Sequence, residues 1–399
     1  MSQPTPGKSN RNAAIAVGAA FLGWTIDAFD FFVLVFTLSA IAAEFSVSIP
    51  QMALTITASL VARPVGAFLF GLLADRYGRR PLLVANVVFY TVMEVASGLA
   101  PGYRTFFAMR LLYGIGMGGN WGVGASLALE SVPSRWRGFA SGLLQEGYAA
   151  GNLLASVAYF ALFPHYGWRA MFLIGALPAI PTVLLCLRVE EPEAWRKARV
   201  VDWSLYRKAV LQHTRLFLYL VLMMTAMAFI AHGSQDMYPT FLSRERHFGI
   251  KLTALITGIS TIGAICGGLL GGHLSNRLGR RRTVVLAALL AATVIPLWIA
   301  ADIRMIVIGA VAMQFLVQAA WGVVPAHMTE LSPANLRAFF PGLAYQCGVV
   351  ISSSVVYLEA VLGEHFTYTF SMGIVALAVL LLGAAVVWTG PEAKGASFD

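Results

Sequence analysis

Long apolar runs, each ended by a short polar or basic stretch, set the pattern of this chain. Crossing a hydrocarbon core of about 30 Å takes about 20 helical residues. Runs long enough to do so fall at 14–43, 51–74, 82–100, 104–130, 138–163 and 168–188. A charged stretch at 189–213 follows, and six more runs lie at 214–242, 252–275, 283–301, 304–330, 338–362 and 366–389. Each run must be a helix, because backbone groups left unpaired against lipid are costly. The pattern predicts an all-α membrane protein of twelve transmembrane helices, in bundles at 1–188 and 214–399 joined by a linker at 189–213.

The two halves repeat. Gly71-Leu-Leu-Ala-Asp75-Arg76-Tyr77-Gly78-Arg79-Arg80 returns as Gly272-His273-Leu274-Ser275-Asn276-Arg277-Leu278-Gly279-Arg280-Arg281 at an offset of 201. Trp121-Gly122, Glu130, Pro133 and Arg137 return at Trp321-Gly322, Glu330, Pro333 and Arg337 at an offset of 200. Two separate blocks at nearly one offset mark two pseudo-symmetric six-helix bundles. That is the layout of a carrier whose halves rock about a central site.

Composition agrees. Of 399 residues 58% are hydrophobic and 12% charged, and the mean hydropathy is +0.73, which excludes an ordinary water-soluble domain. The net charge of +9 sits in short clusters between spans, so it reads as a topology signal with no nucleic-acid partner. With the N-terminus inside, 20 Lys and Arg fall in inside loops against 6 outside. That bias places both termini and the linker in the cytoplasm, in a cell (inner) membrane. About a dozen polar residues precede the first run, which has no small-residue cleavage site and is read as a retained helix. Cys186, Cys266 and Cys347 lie within spans without metal spacing, so neither a disulfide, a metal nor a cofactor is expected. There is also no nucleophile elbow, no HExxH and no soluble catalytic domain, so the chain is not read as an enzyme.

The block from Gly71 to Arg80 resembles the G-x-L-a-D-r-x-G-r-k loop of the major facilitator superfamily. Arg110-Leu-Leu-Tyr-Gly114-Ile-Gly116-Met-Gly118 resembles that superfamily's R-x-x-x-G-x-G-x-G fourth helix. The resemblance implies that Asp75, Arg76, Gly78 and Arg79 form a cytoplasmic charge latch that favours one gating state. Asn276 replaces the acid in the second copy, which implies a weaker latch there. Leu22-Gly-Trp24-Thr-Ile-Asp27-Ala-Phe29-Asp30 is similar to the first helix of the sialate:proton symporter group, which includes the Jen-type lactate and pyruvate permeases. His232-Gly-Ser234-Gln235-Asp236-Met-Tyr-Pro-Thr240 is similar to the H-x-S/T-Q-D-x-x-x-T core of the Jen-type seventh helix. Ala228 and Ala231 stand where that motif has Asn and Ser or Thr.

Ionisable residues at membrane depth each need a reason, because their burial is expensive. Asp27 and Asp30 share one helix face and are candidates for carrying a proton. Arg63 precedes Asp75 by 12 residues, which puts it about 18 Å up the helix, near the midplane. Its fork can hold a carboxylate, and Asp27 or Asp30 can balance it when the site is empty. The repeat-related position is Ala264, so the fold alone does not require this arginine. Arg110 has two open readings, proton coupling or gating on one side and a structural ion pair on the other. His232 and Asp236 stand one turn apart and can share a proton, while Pro239 interrupts their helix. Asn120, Gln145, Gln235, Gln318, Tyr345 and Gln346 complete the candidate substrate-binding set, each weighed against an ordinary interhelical bond. Glu94 and Glu146 are candidates for arginine partners.

These observations lead to a monomeric proton-coupled symporter of a small organic anion, a monocarboxylate such as lactate or pyruvate. Sialate, an aromatic acid, or a drug or cation exporter of the same fold are the alternatives.

Overall fold

The computed structural model describes residues 6–198, 203–352, 362, 365–396 and 398. Helices α1 (Pro6–Glu44), α2 (Ile49–Tyr77), α3 (Arg79–Gly98), α4 (Tyr103–Ser131), α5 (Ser134–Gln145), α6 (Gly147–Gly175) and α7 (Ala179–Arg188) build the first half. Two short helices, α8 (Glu193–Ala198) and α9 (Trp203–Gln212), lie between the halves. The second half holds α10 (Thr214–Gln235), α11 (Tyr238–Arg244), α12 (Ile250–Leu278), α13 (Arg280–Trp298), α14 (Ile303–Trp321), α15 (Val324–Leu331), α16 (Phe339–Ser352) and α17 (Tyr368–Thr389).

Nine segments of the described residues are long and apolar enough to cross a membrane. One of them, Ser134–Arg188, has 55 residues and is broken at Gly167, whose φ of 70° leaves the helical region. At 1.5 Å per residue it would reach about 80 Å as one rod, so it accounts for two crossings. The 29-residue α4 is another crossing. α16 begins the eleventh expected span, whose remainder lies outside the described residues. The described residues are all-α, arranged as the two successive sets of crossings that the apolar runs predict.

Glycine sets how closely the helices approach. A Cβ on Gly66 would lie 1.7 Å from the Ile115 carbonyl oxygen, and one on Gly118 would lie 1.9 Å from that of Arg63, so α2 and α4 touch backbone to backbone. The second half repeats the device. A Cβ on Gly267 would lie 2.0 Å from the Phe315 oxygen, between α12 and α14. Gly78 and Gly279, with φ of 125° and 104°, make the tight turns into α3 and α13.

The halves meet tightly at the terminal end of the bundle, where α1 begins and α17 finishes. There α2 and α4 pack on α16, and α5 packs on α12 and α15. Ser141 Oγ donates to the Gly322 carbonyl at 2.7 Å and accepts from the Ala326 amide at 3.0 Å, stitching that seam.

Candidate functional site

The terminal end is held by a charge cluster. The Asp75 carboxylate accepts from the Ala338 and Phe339 amides at 3.1 and 3.0 Å, at the start of α16 in the opposite half. A negative charge on the N-terminus of a helix is favourable, so the bond ties the halves as well as capping α16. Asp75 also binds Arg79, which reaches Glu130 at 3.1 Å, and the Tyr206 hydroxyl of the linker lies 3.4 Å away. Arg76 turns instead to the linker, its guanidinium 4.1 Å from the Trp203 ring centroid. In the second copy Asn276 accepts from the Gly138 amide at 3.1 Å and donates to the Arg135 carbonyl at 2.9 Å. It crosses the seam as Asp75 does but with neutral bonds, which are about half as strong as charged ones.

Sequence reasoning overlooked two members of this cluster. Glu191 accepts from the Arg79 and Arg80 amides, and Glu392 accepts from those of Arg280 and Arg281 at 3.0 and 3.1 Å, each capping the helix after a glycine turn. They stand 201 residues apart, the offset already seen in the repeat. Burial pushes the Glu191 carboxyl above its usual range, opposed by those two amides and the Arg79 charge.

Deeper in the bundle Arg63 is 5% exposed. Its guanidinium lies 5.4 Å from the Phe31 ring and against the Met117 thioether, and it forms no ion pair among the described residues. Its charge reaches Asp27, Tyr148 and Tyr345. Asp27 is fully buried, and neither carboxylate oxygen has a partner among the described residues. The walls around this pair are aromatic and come from both halves. Trp121 stacks on Tyr345 with ring centroids 4.3 Å apart, and Trp24 and Trp321 approach Tyr345 at 6.1 and 6.2 Å. Gln145 accepts from the Trp121 indole at 3.4 Å, and Gln346 reaches the Gly118 carbonyl across the halves at 3.5 Å. The indole nitrogens of Trp24 and Trp321 and Oε1 of Gln346 are buried without partners among the described residues. Trp121 and Trp321 stand in the repeated block and Trp24 in the first-helix motif, but sequence reasoning gave none of the three a part in the site.

Arg110 binds Glu94 in a wholly buried ion pair, with the guanidinium also donating to Ser97 Oγ at 3.0 Å and lying 4.0 Å from the Tyr113 ring centroid. The charges of Glu94, Arg110 and Asp27 all act on Asp30. One connected group of acids therefore joins Arg63 to the Arg110 pair. Glu146, also a candidate for an arginine partner, has none among the described residues, since it faces the backbone of α12.

His232 Nδ1 lies 2.9 Å from Asp236 Oδ2, with both side chains about one-third exposed, and the Asp236 charge reaches Tyr148. The chain is interrupted between α10 and α11 beside Pro239, as the proline predicts. Gln235 and Gln318 are half-buried. Asn120 donates to the Gly23 carbonyl at 2.9 Å, so its amide ties α1 to α4.

A family model described as Major Facilitator Superfamily matches residues 20–249 and 236–398. The chain is 27% identical to the probable 4-methylmuconolactone transporter of Cupriavidus pinatubonensis, over 96% of this chain and 91% of the relative. It is 26% identical to the sialic acid transporter NanX of Escherichia coli, over 92% and 93%. The solved structure of the proton:xylose symporter XylE overlays with a TM-score of 0.76 over 98% of both chains at 18% identity, a likeness of fold alone.

Proposed function

The chain belongs to the Major Facilitator Superfamily and is a multi-pass secondary transporter, and from that premise we propose that it carries a small organic monocarboxylate together with a proton by alternating access. The observation that carries the reading is Arg63, a permanent charge buried between two aromatic-walled halves without an ion-pair partner among the described residues. A guanidinium in such a place binds a carboxylate through two parallel bonds.

Charge balance then accounts for the coupling. In the empty site Asp27 as carboxylate offsets Arg63. In the loaded site the cargo carboxylate takes that place and Asp27 accepts the proton. Either way the occluded site holds one positive and one negative charge, so both forms cross the membrane at a similar desolvation cost. Asp30, Glu94 and Arg110 extend the proton route, and His232, Gln235 and Asp236 approach from the second half. The basic loops set the latch and both termini in the cytoplasm of an inner membrane, with the monomer as the working unit.

The Trp121–Tyr345 stack supports a second reading of the cargo, a planar or conjugated acid whose body lies on the rings. The names of the relatives, a methylmuconolactone and a sialic acid transporter, keep the class at organic acids. The Arg63 charge opposes a cationic drug. The test is uptake of a labelled acid panel into proteoliposomes with and without an inward proton gradient. The expected result is acceleration by the gradient without dependence on membrane potential, and competition by unsaturated or aromatic monocarboxylates at least as strong as by lactate. Uptake indifferent to the gradient removes the symport reading.

A further inference from the structure

One acid in the seam between the halves has no part in the mechanism above. Glu146 sits at the break between α5 and α6 and is 5% exposed. Its Oε1 has no hydrogen-bond partner among the described residues. It points at the backbone of α12, where a Cβ on Gly268 would lie 1.9 Å from Oε1. This is also where the halves come closest. A Cβ on Gly142 would lie 2.4 Å from the Gly268 oxygen, and one on Gly138 would lie 2.0 Å from that of Gly272.

The charged and titratable groups of the surrounding elements do not bond to it. They run from Asp27 and Asp30 of α1 and Arg110 and Glu130 of α4 to His273 of α12, Arg304 of α14, and His327 and Glu330 of α15. The fold does not require an acid here. At the repeat offset of 201, Gln145-Glu146-Gly147 matches Gln346-Cys347-Gly348.

We propose that Glu146 is a second proton-binding site of the carrier, neutral while the α5–α12 seam is closed and ionised once that seam parts. It rests on the transporter reading only in requiring that the halves separate. A carboxylate buried against Gly268 with no donor for Oε1 among the described residues is costly, so the closed seam takes the acid form. When α5 and α12 move apart, water reaches the side chain. The carboxyl O–H bond then breaks, the proton passes to that water, and a carboxylate remains in the opened cleft. Closing again requires the proton to return. Asp27 and Asp30 answer to the cargo site, whereas Glu146 answers to the solvent on the terminal side.

The group holds its proton in the closed form and loses it more readily in the open one, so closure is favoured at low pH and weakens as pH rises. The test uses the full chain in lipid nanodiscs with Cys186, Cys266 and Cys347 replaced by serine. Spin labels are placed at Ser134→Cys and Leu278→Cys, both exposed at the ends of α5 and α12. The expected closed-to-open ratio falls with rising pH by up to tenfold per unit. Glu146→Gln, a neutral isostere, stays closed and loses that dependence, and Glu146→Ala loses it as well. A flat profile in the parent chain, or variants that keep the parent slope, overturns the proposal. No cargo enters this experiment, so a failure of acid uptake would count against the symport reading and leave these distances to decide Glu146.

Discussion

Replacing Arg63 with glutamine is expected to lower the affinity for the transported acid by roughly 30-fold to 1,000-fold or more. Truncating one member of a buried charged pair costs about 2–5 kcal/mol, and about 1.4 kcal/mol is a factor of ten. Among the described residues no other arginine stands among the aromatic walls to take over, because Arg110 is bound to Glu94 and Arg79 to Asp75 and Glu130. Arg63→Lys keeps the charge but loses the planar fork, so it should fall between the parent and the glutamine variant. Equilibrium binding of a labelled acid to the purified protein reads both directly. Parent-like binding by Arg63→Gln would remove the arginine from the site.

The second large effect concerns the gate. Asp75 holds the first turn of α16 through two amides and anchors Arg79 at the same time. Asp75→Asn keeps the shape but removes the charge and one acceptor, since the Ala338 and Phe339 amides bond to separate oxygens and the new NH2 cannot accept. The bond that remains weakens by about 1 kcal/mol and the one that is lost costs about 1 kcal/mol or more. The closed terminal end should lose about 2 kcal/mol, a shift of about 30-fold toward the open form. Distances between labels on the terminal ends of α2 and α16 measure it. Asn276→Ala in the second copy should move the same equilibrium much less, because its two bonds to the Arg135–Gly138 stretch are neutral.

How much of this was legible in the chain depended on whether the cause was local. Membrane crossing is a matter of run length, so the spans and their order were readable, and the repeat at Gly71–Arg80 and Gly272–Arg281 gave the two halves. Helix ends ran past the apolar runs, as in α1, because a helix continues into the headgroup region wherever its backbone can stay bonded. The burial of Arg63 was readable because a permanent charge within an apolar run is conspicuous. Asn120 carried both a ligand and an interhelical-bond reading, and its amide meets the Gly23 carbonyl, a contact that exists only after α1 and α4 pack. Glu146 was visible as a costly acid, but its place opposite Gly268 is set by how α5 meets α12. Glu191 and Glu392 lie just beyond the last span of each half, where acids are common, and only the shared offset could have singled them out.

The most direct test of the central claim is a structure of the full chain with a transported acid bound. The account predicts the acid's carboxylate in two-pronged contact with the Arg63 guanidinium, its body against Trp121 and Tyr345. A bound acid whose carboxylate lies elsewhere, with Arg63 still facing only Phe31 and Met117, would contradict it.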